Sequence, residues 1–91
     1  MEIRHVNIKV TGRVQGVFFR ASTQQEARNI GIQGFVRNES DGSVYIEAEG
    51  PRDRLRKFTE WCGHGPPYAV VKDIQVNEGE VQEYREFCVQ Y

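Results

Sequence analysis

The sequence contains no long hydrophobic run. Its longest uninterrupted apolar stretch is the four residues from Tyr68 to Val71, whereas a helix needs about 20 apolar residues to cross a bilayer. The first ten residues, MEIRHVNIKV, have no long apolar segment and no small-residue cleavage site of the kind that secretory signals carry. We therefore expect no membrane partner and a cytoplasmic location.

An excess of charge of either sign is also missing. The 12 basic residues nearly balance the 13 acidic ones, which gives a net charge of −1 with both histidines neutral. A nucleic-acid-binding domain usually presents a strongly basic face. We therefore expect no nucleic-acid partner.

Cysteine is scarce, and its spacing does not suit a metal site. The two cysteines, Cys62 and Cys88, are not part of a CxxC pair, and no HxxxH pair occurs. A second pair of ligands is therefore missing, and we expect no metal. The simplest interpretation is two buried thiols in a reducing compartment. A disulfide between Cys62 and Cys88 is the alternative, and the sequence alone does not decide between the two.

The N-terminal third changes its hydrophobic period from two to about 3.6. Residues 4 to 11 place Val6, Ile8 and Val10 on one face, which predicts a strand with one buried side. Residues 20 to 30 predict a short amphipathic helix that ends at Gly31. The residues of its apolar face are Thr23, Ala27 and Ile30.

The middle of the chain predicts a hairpin. A brief strand from Gly34 to Arg37 is followed by Asp41-Gly42, a frequent hairpin turn. Residues 43 to 49 then alternate, with Val44, Ile46 and Ala48 on one face and Tyr45, Glu47 and Glu49 on the other. The second face is expected to point to solvent.

The last part of the chain predicts one more helix and two more strands. Pro51 occupies the position of a first helical residue, and Gly63 ends the helix. Its apolar face consists of Leu55, Phe58 and Cys62. Residues 70 to 76 and 84 to 90 predict strands, and the pattern of the last one does not say where it joins the sheet.

The order of elements is therefore β-α-β-β-α-β with an extra C-terminal strand. Two βα units joined by a hairpin form an α+β, ferredoxin-like split β-α-β sandwich, in which an antiparallel sheet carries two helices on one face. The 91 residues, 38% of them hydrophobic, suit one compact domain over residues 1 to 91.

A glycine-containing segment, GRVQGVFFR, connects the first strand to the first helix. Such a loop can turn several backbone N–H groups toward one anion, and a helix N-terminus adds further free N–H groups. Arg20 can contribute a bidentate guanidinium. The alternative is a plain turn with a solvated arginine. The segment matches neither the P-loop nor the GxGxxG pattern, so any anion bound here is one small phosphate group.

Asn38 stands in a second notable cluster, GFVRNESDG, just before the hairpin. An asparagine at such a position often hydrogen-bonds its own backbone in a turn. This interpretation and a functional one both remain open from the residues alone.

Together, two segments resemble the two signature motifs of the acylphosphatase family, in the family's order and separation. They are VTGRVQGVFFR at residues 10–20 and GFVRNESDGSVYIEAEG at residues 34–50. The resemblance implies hydrolysis of the anhydride bond between a carboxylic acid and phosphate, with no metal or other cofactor. It implies that Arg20 binds the phosphate and that Asn38 orients the attacking water. The loop whose backbone N–H groups would assist comprises Arg13, Val14, Gln15, Gly16, Val17, Phe18 and Phe19.

The resemblance also implies a monomer that takes a small acyl phosphate, with inorganic phosphate as product or competitive ligand. It leaves open whether Phe18, Glu39 and Ser43 contribute, and His5 and His64 lie outside the motifs. Two alternatives use the same scaffold. One is an anion- or RNA-binding module, which lacks its RNP-type strand here. The other is an accessory domain, as in larger carbamoyl-transfer proteins.

Overall fold

The chain forms its elements in the order that the hydrophobic pattern predicts. The computed structural model describes residues 2 to 91. The elements are β1 (Ile3–Arg13), α1 (Phe19–Ile30), β2 (Gln33–Asn38), β3 (Val44–Pro51), α2 (Arg52–Cys62), β4 (Val70–Gly79) and β5 (Phe87–Gln90). The ferredoxin-like α+β fold is confirmed, with the hairpin between β2 and β3 closed around residues 39 to 43.

β1 and β4 extend beyond their predicted ends, to Arg13 and Gly79, and two further boundaries are wrong for a local reason. Pro51 is not the first residue of α2 but the last of β3, where it is extended and lies opposite Ile3. The final strand begins at Phe87 rather than at Tyr84. The backbone N–H of Tyr84 donates instead to the carboxylate of Glu49, so it cannot take part in a strand ladder.

The sheet has the order β4-β1-β3-β2-β5. The neighbouring pairs among the first four strands are antiparallel, as expected. β5 differs because it pairs with β2 in parallel, so the complete sheet is mixed rather than purely antiparallel. Residues 80–86 connect β4 to β5 and therefore form a crossover from one edge of the sheet to the other.

The main core lies between the sheet and the two helices. On the helices, the residues predicted to face inward are buried or half-buried: Thr23, Ala27, Ile30, Leu55, Phe58 and Cys62. On the strands, Ile8, Val10, Val36, Val44, Ile46 and Ala48 are buried against them. The periods of two and 3.6 therefore identified the residues that hold the two layers together.

The other face of the sheet was expected to be solvated, but part of it is buried. His5 and Glu49 are 3% and 2% exposed, respectively. Nδ1 of His5 lies 2.7 Å from Oε2 of Glu49, and the N–H groups of Gln82 and Tyr84 donate to the same carboxylate. The crossover thus covers this face. Burial raises the pKa of Glu49, but these N–H groups and His5 outweigh it, and the pKa is lowered.

Both cysteines are free. Cys62 is buried, and burial raises the pKa of its thiol. Cys88 is only half-buried, and its Sγ donates a hydrogen bond to Glu86 at 3.2 Å. Within residues 2–91, neither helix has the length and apolar composition needed to cross a membrane.

Candidate active site

The β1–α1 loop, the start of α1 and the end of β2 meet at one cavity. Its volume is about 240 Å³. Its walls are formed by Val14, Gly16, Phe18, Phe19, Arg20, Ala21, Asn38 and Tyr91. Arg20 and Asn38, which are 18 positions apart in the sequence, therefore face the same space. Of the other residues predicted for the site, Arg13, Gln15 and Val17 do not line it.

The loop is anchored by two buried side chains, one before and one after a glycine. Val14 and Val17 are buried, and Gly16 between them has φ +73°, a conformation that favours glycine. Among the described residues, the turn, loop and cap hydrogen bonds between backbone groups include none donated by an N–H of residues 14 to 20. These N–H groups remain available to an external acceptor.

The helix begins directly after a residue in an unusual conformation. Phe18 precedes α1 with φ +62° and ψ +24°, and its carbonyl accepts the N–H of Ser22 at 3.0 Å. Phe19 is buried, with its ring centroid 5.9 Å from that of Trp61. The buried ring of Phe19 fixes the helix start, while the side chain of Phe18 stays 76% exposed.

Arg20 is in the first turn of α1, which contains no acidic residue. Its Nη1 donates to the carbonyl oxygen of Gln90 at 3.2 Å, and its guanidinium carbon lies 4.7 Å from the ring centroid of Tyr91. These contacts orient the guanidinium without neutralising its charge. The contribution of β5 to the site was not predicted, because the sequence pattern did not place this strand beside β2.

Asn38 is the last residue of β2. Its Oδ1 atom is buried and, among the residues that the structure describes, has no hydrogen-bond partner. The turn interpretation therefore does not account for this atom. A buried acceptor without a donor costs about 1–3 kcal/mol, and Asn38 lines the cavity, so its side-chain amide is a position where a ligand or water can form a hydrogen bond.

Gln15 links the loop to the β2–β3 hairpin. Its Nε2 donates to the carbonyl oxygens of Glu39 and Ser43 at 2.8 and 2.9 Å. Only the backbone of Gln15 was predicted to take part in the site, because the partner carbonyls are 24 and 28 positions away. This side chain sets the position of the loop relative to the strand that carries Asn38.

Glu39 and Ser43 do not line the cavity. The Glu39 carboxylate lies 3.3 Å from Nε of Arg37, and the Ser43 hydroxyl donates to Asp41 at 2.5 Å. Asp41 also pairs with Lys9 at 2.8 Å. Lys9 and Ser43 hold the pKa of the Asp41 carboxyl well below its usual range. These polar groups stabilise the hairpin beneath the site.

The two histidines are not at the cavity. His5 is on the far face of the sheet, and His64 is exposed in the turn after α2. Within the described part of the chain, no three side chains of histidine, cysteine, aspartate or glutamate are grouped as metal ligands.

Known proteins resemble this chain in sequence and in fold. The acylphosphatase family model matches residues 6–89. An acylphosphatase of Anaeromyxobacter sp. (strain Fw109-5) is 50% identical over 78 residues, which are 86% of this chain and 84% of that protein. The crystal structure of acylphosphatase from Bacillus subtilis gives a TM-score of 0.94 at 40% identity, over 97% of this chain and 99% of that one.

A larger protein contains a similar unit. The structure of full-length HypF in a phosphate- and nucleotide-bound form gives a TM-score of 0.92 at 35% identity. The match covers 99% of this chain but only 12% of that one. The family model covers most of the chain, and the identities are high over nearly its whole length. The chain belongs to the acylphosphatase family.

Proposed function

We propose that this acylphosphatase cleaves its acyl phosphate in the cavity between the β1–α1 loop and Asn38, without a metal or other cofactor. The products are a carboxylate and inorganic phosphate, which can also bind as a competitive ligand. The observation that carries the proposal is that Arg20 and Asn38 line one cavity, and that the Oδ1 of Asn38 has no hydrogen-bond partner among the described residues. One group suits an anion and the other suits a water molecule.

The phosphoryl group would lie against Arg20 and the loop. Arg20 presents several N–H donors in a plane that fits two phosphate oxygens. Backbone N–H groups of residues 14 to 20, in the loop and at the start of α1, would donate to the same anion, since none of them is used in a turn, loop or cap hydrogen bond between described backbone groups, and the helix dipole adds to the attraction. An arginine in the first turn opposes the helix dipole, but a bound dianion interacts favourably with both.

The attacking water would be held by Asn38. The Oδ1 atom would accept a hydrogen bond from the water, and the side-chain NH2 can donate to a phosphate oxygen. An amide does not titrate in the working range, so Asn38 orients the water rather than deprotonating it.

The chemistry needs little more than these contacts, because an acyl phosphate is already activated. Water oxygen bonds to phosphorus, the bond from phosphorus to the acyl oxygen breaks, and the carboxylate leaves with the electron pair. The proton of the water passes to a non-bridging phosphate oxygen, which makes catalysis substrate-assisted. Arg20 and the N–H groups stabilise the charge of a loose transition state.

We further propose that residues 1–91 act as one acylphosphatase-like domain, as a cytoplasmic monomer with no nucleic-acid or membrane partner. The free thiols of Cys62 and Cys88 are compatible with a reducing compartment. Size-exclusion chromatography with light scattering tests the monomer, which a mass near twice 10.5 kDa would contradict.

One assay tests the central proposal. The purified protein is incubated with acetyl phosphate or benzoyl phosphate in excess EDTA, and the release of inorganic phosphate is measured. We expect hydrolysis well above the uncatalysed rate, with competitive inhibition by added phosphate. Hydrolysis that stops in the chelator would contradict the metal-free mechanism, and no hydrolysis under either condition would contradict the activity itself.

A further inference from the structure

The cavity has an apolar rim as well as its polar contacts. Phe18 and Tyr91 both line it, and both side chains are exposed, Phe18 to 76%. Val14 and Ala21 add aliphatic surface to the same walls. Exposed aromatic surface that borders a polar cavity is typical of a ligand-binding position.

The conformation of Phe18 keeps its ring at this rim. With φ +62°, the residue is in the left-handed region, where a side chain costs of order 1 kcal/mol or more. Two residues earlier, Gly16 has a similar positive φ, +73°. A phenyl ring is thus present where glycine would be unstrained, and its neighbours hold it outward. The next residue, Phe19, is buried, and the Phe18 carbonyl is bonded to Ser22.

Tyr91 forms the other half of the rim through its contact with Arg20. The guanidinium carbon lies 4.7 Å from the centre of the tyrosine ring, a cation–π distance. Tyr91 therefore lies next to the group assigned to the phosphate. An acyl phosphate held by Arg20 has only its acyl part left to extend toward the open side of the cavity.

We propose that Phe18 and Tyr91 form an acyl subsite that favours acyl phosphates with an aromatic or long aliphatic acyl group over acetyl phosphate. The inference rests on the proposed function, because it assumes that the phosphoryl group occupies Arg20 and the loop. Phe18 is then a specificity-determining residue. Its ring covers the acyl group, and removal of both apolar surfaces from water supplies the preference.

The test compares two substrates in several variants. Values of kcat/KM are measured for benzoyl phosphate and acetyl phosphate in the wild-type protein, Phe18→Asn, Phe18→Leu and Tyr68→Ala. Asparagine tolerates a positive φ but removes the apolar ring. Tyr68 is an equally exposed aromatic residue, 75%, that does not line the cavity, so its variant is the matched control.

We expect Phe18→Asn to lower the ratio of kcat/KM for benzoyl phosphate to that for acetyl phosphate by about three- to tenfold, less than in an enclosed apolar pocket. The loss should be mainly in the KM for benzoyl phosphate. Phe18→Leu should retain most of the wild-type ratio, and Tyr68→Ala all of it. Any effect of the substitution on phosphate binding acts on both substrates and cancels in the ratio.

An unchanged ratio in Phe18→Asn and Phe18→Leu, with both substrates turned over, would overturn the acyl subsite while leaving the proposed function intact. A wild-type protein that hydrolyses neither substrate would overturn the proposed function and the subsite with it. A ratio that falls equally in Tyr68→Ala would also contradict the assignment, since that ring is outside the cavity.

Discussion

The Nε2 atom of Gln15 lies 2.8 Å from the carbonyl oxygen of Glu39. This hydrogen bond joins the β1–α1 loop to the hairpin that follows Asn38, and a second one to Ser43 strengthens the connection. The proposed phosphate-binding loop and the proposed water-binding residue are therefore held together by a side chain that does not line the cavity. Gln15 is a positioning residue.

Gln15→Ala should lower kcat/KM for acetyl phosphate by about tenfold, because a small displacement of the loop from Asn38 is costly to a positioned reaction. Its free energy of unfolding should fall by about 1–2 kcal/mol, the cost of the lost hydrogen bonds. Gln24→Ala is the control, since Gln24 Nε2 also donates to a backbone carbonyl, that of Phe87 at 3.1 Å. If Gln24→Ala lost as much stability and as much activity as Gln15→Ala, the positioning role of Gln15 would be contradicted.

Arg20→Ala should abolish most inorganic phosphate binding, because it removes the only side-chain cation assigned to the anion. We expect the inhibition constant of phosphate to rise by about 100-fold or more, in the range of a lost charge-assisted bidentate contact. Arg20→Lys should recover little of the affinity, since a lysine ammonium cannot bind two oxygens in the same planar geometry. Isothermal titration with phosphate measures both, and full recovery in the lysine variant would argue against bidentate binding.

Asn38→Ala should impair turnover rather than phosphate binding. We expect kcat to fall by about 100- to 1,000-fold, the usual effect of losing one preorganised polar group, while phosphate affinity changes less than about threefold. Steady-state kinetics and phosphate titration on the same preparation separate the two effects. If phosphate binding were lost and turnover kept, the roles assigned to Arg20 and Asn38 would be wrong.

The buried carboxylate of Glu49 should make stability depend on acid pH. Its pKa is lower in the folded protein than in the unfolded chain, so the unfolded state binds more protons as the pH falls. The stabilisation is complete above the ordinary glutamate pKa of about 4.3 and is lost as the pH falls through the lowered value. Urea unfolding at pH 7 and pH 3, followed by circular dichroism, measures the difference.

Glu49→Gln should be less stable than the wild type at pH 7 by about 1–3 kcal/mol, because the amide cannot accept every N–H donated to the carboxylate. It should also lose less stability than the wild type between pH 7 and pH 3. Glu60→Gln, at an exposed position on α2, is the control and should keep the wild-type pH dependence. Equal pH dependence in Glu49→Gln and the wild type would contradict the role of this carboxylate.

Gly34→Ala should be among the most destabilising small substitutions in the sheet. Gly34 has φ +146°, and a Cβ there would lie 1.8 Å from the carbonyl oxygen of Glu47, so β2 and β3 would have to separate. We expect a loss of about 3 kcal/mol or more. Gly42→Ala has an unusual φ of +92°, but among the described residues no atom other than those of Gly42 and its chain neighbours lies within 4 Å of the added carbon, and it should lose only about 1 kcal/mol. Thermal unfolding of the two variants distinguishes the cost of a steric clash at Gly34 from the cost of backbone strain at Gly42.

Most of the fold could be predicted from short-range patterns. The alternation around Ile8 and the helical spacing of Leu55 and Phe58 report which face of each element is apolar, and that is sufficient for the order of elements and the main core. The burial of His5 and Glu49 could not be predicted in this way. Each is polar and lies on the opposite face, and only the crossover at residues 80–86 covers them.

In the candidate site, too, some features follow from local patterns and others depend on tertiary contacts. The glycine-containing loop, Arg20 at the start of a helix and Asn38 at the end of a strand could be predicted, because local backbone chemistry and two motifs specify them. Three features could not: Arg20 and Asn38 share a cavity, Gln15 connects their segments, and the C-terminal residues Gln90 and Tyr91 contact the guanidinium. These contacts join residues up to 71 positions apart, from Arg20 to Tyr91, and such contacts are set by strand pairing and packing, which no local pattern encodes.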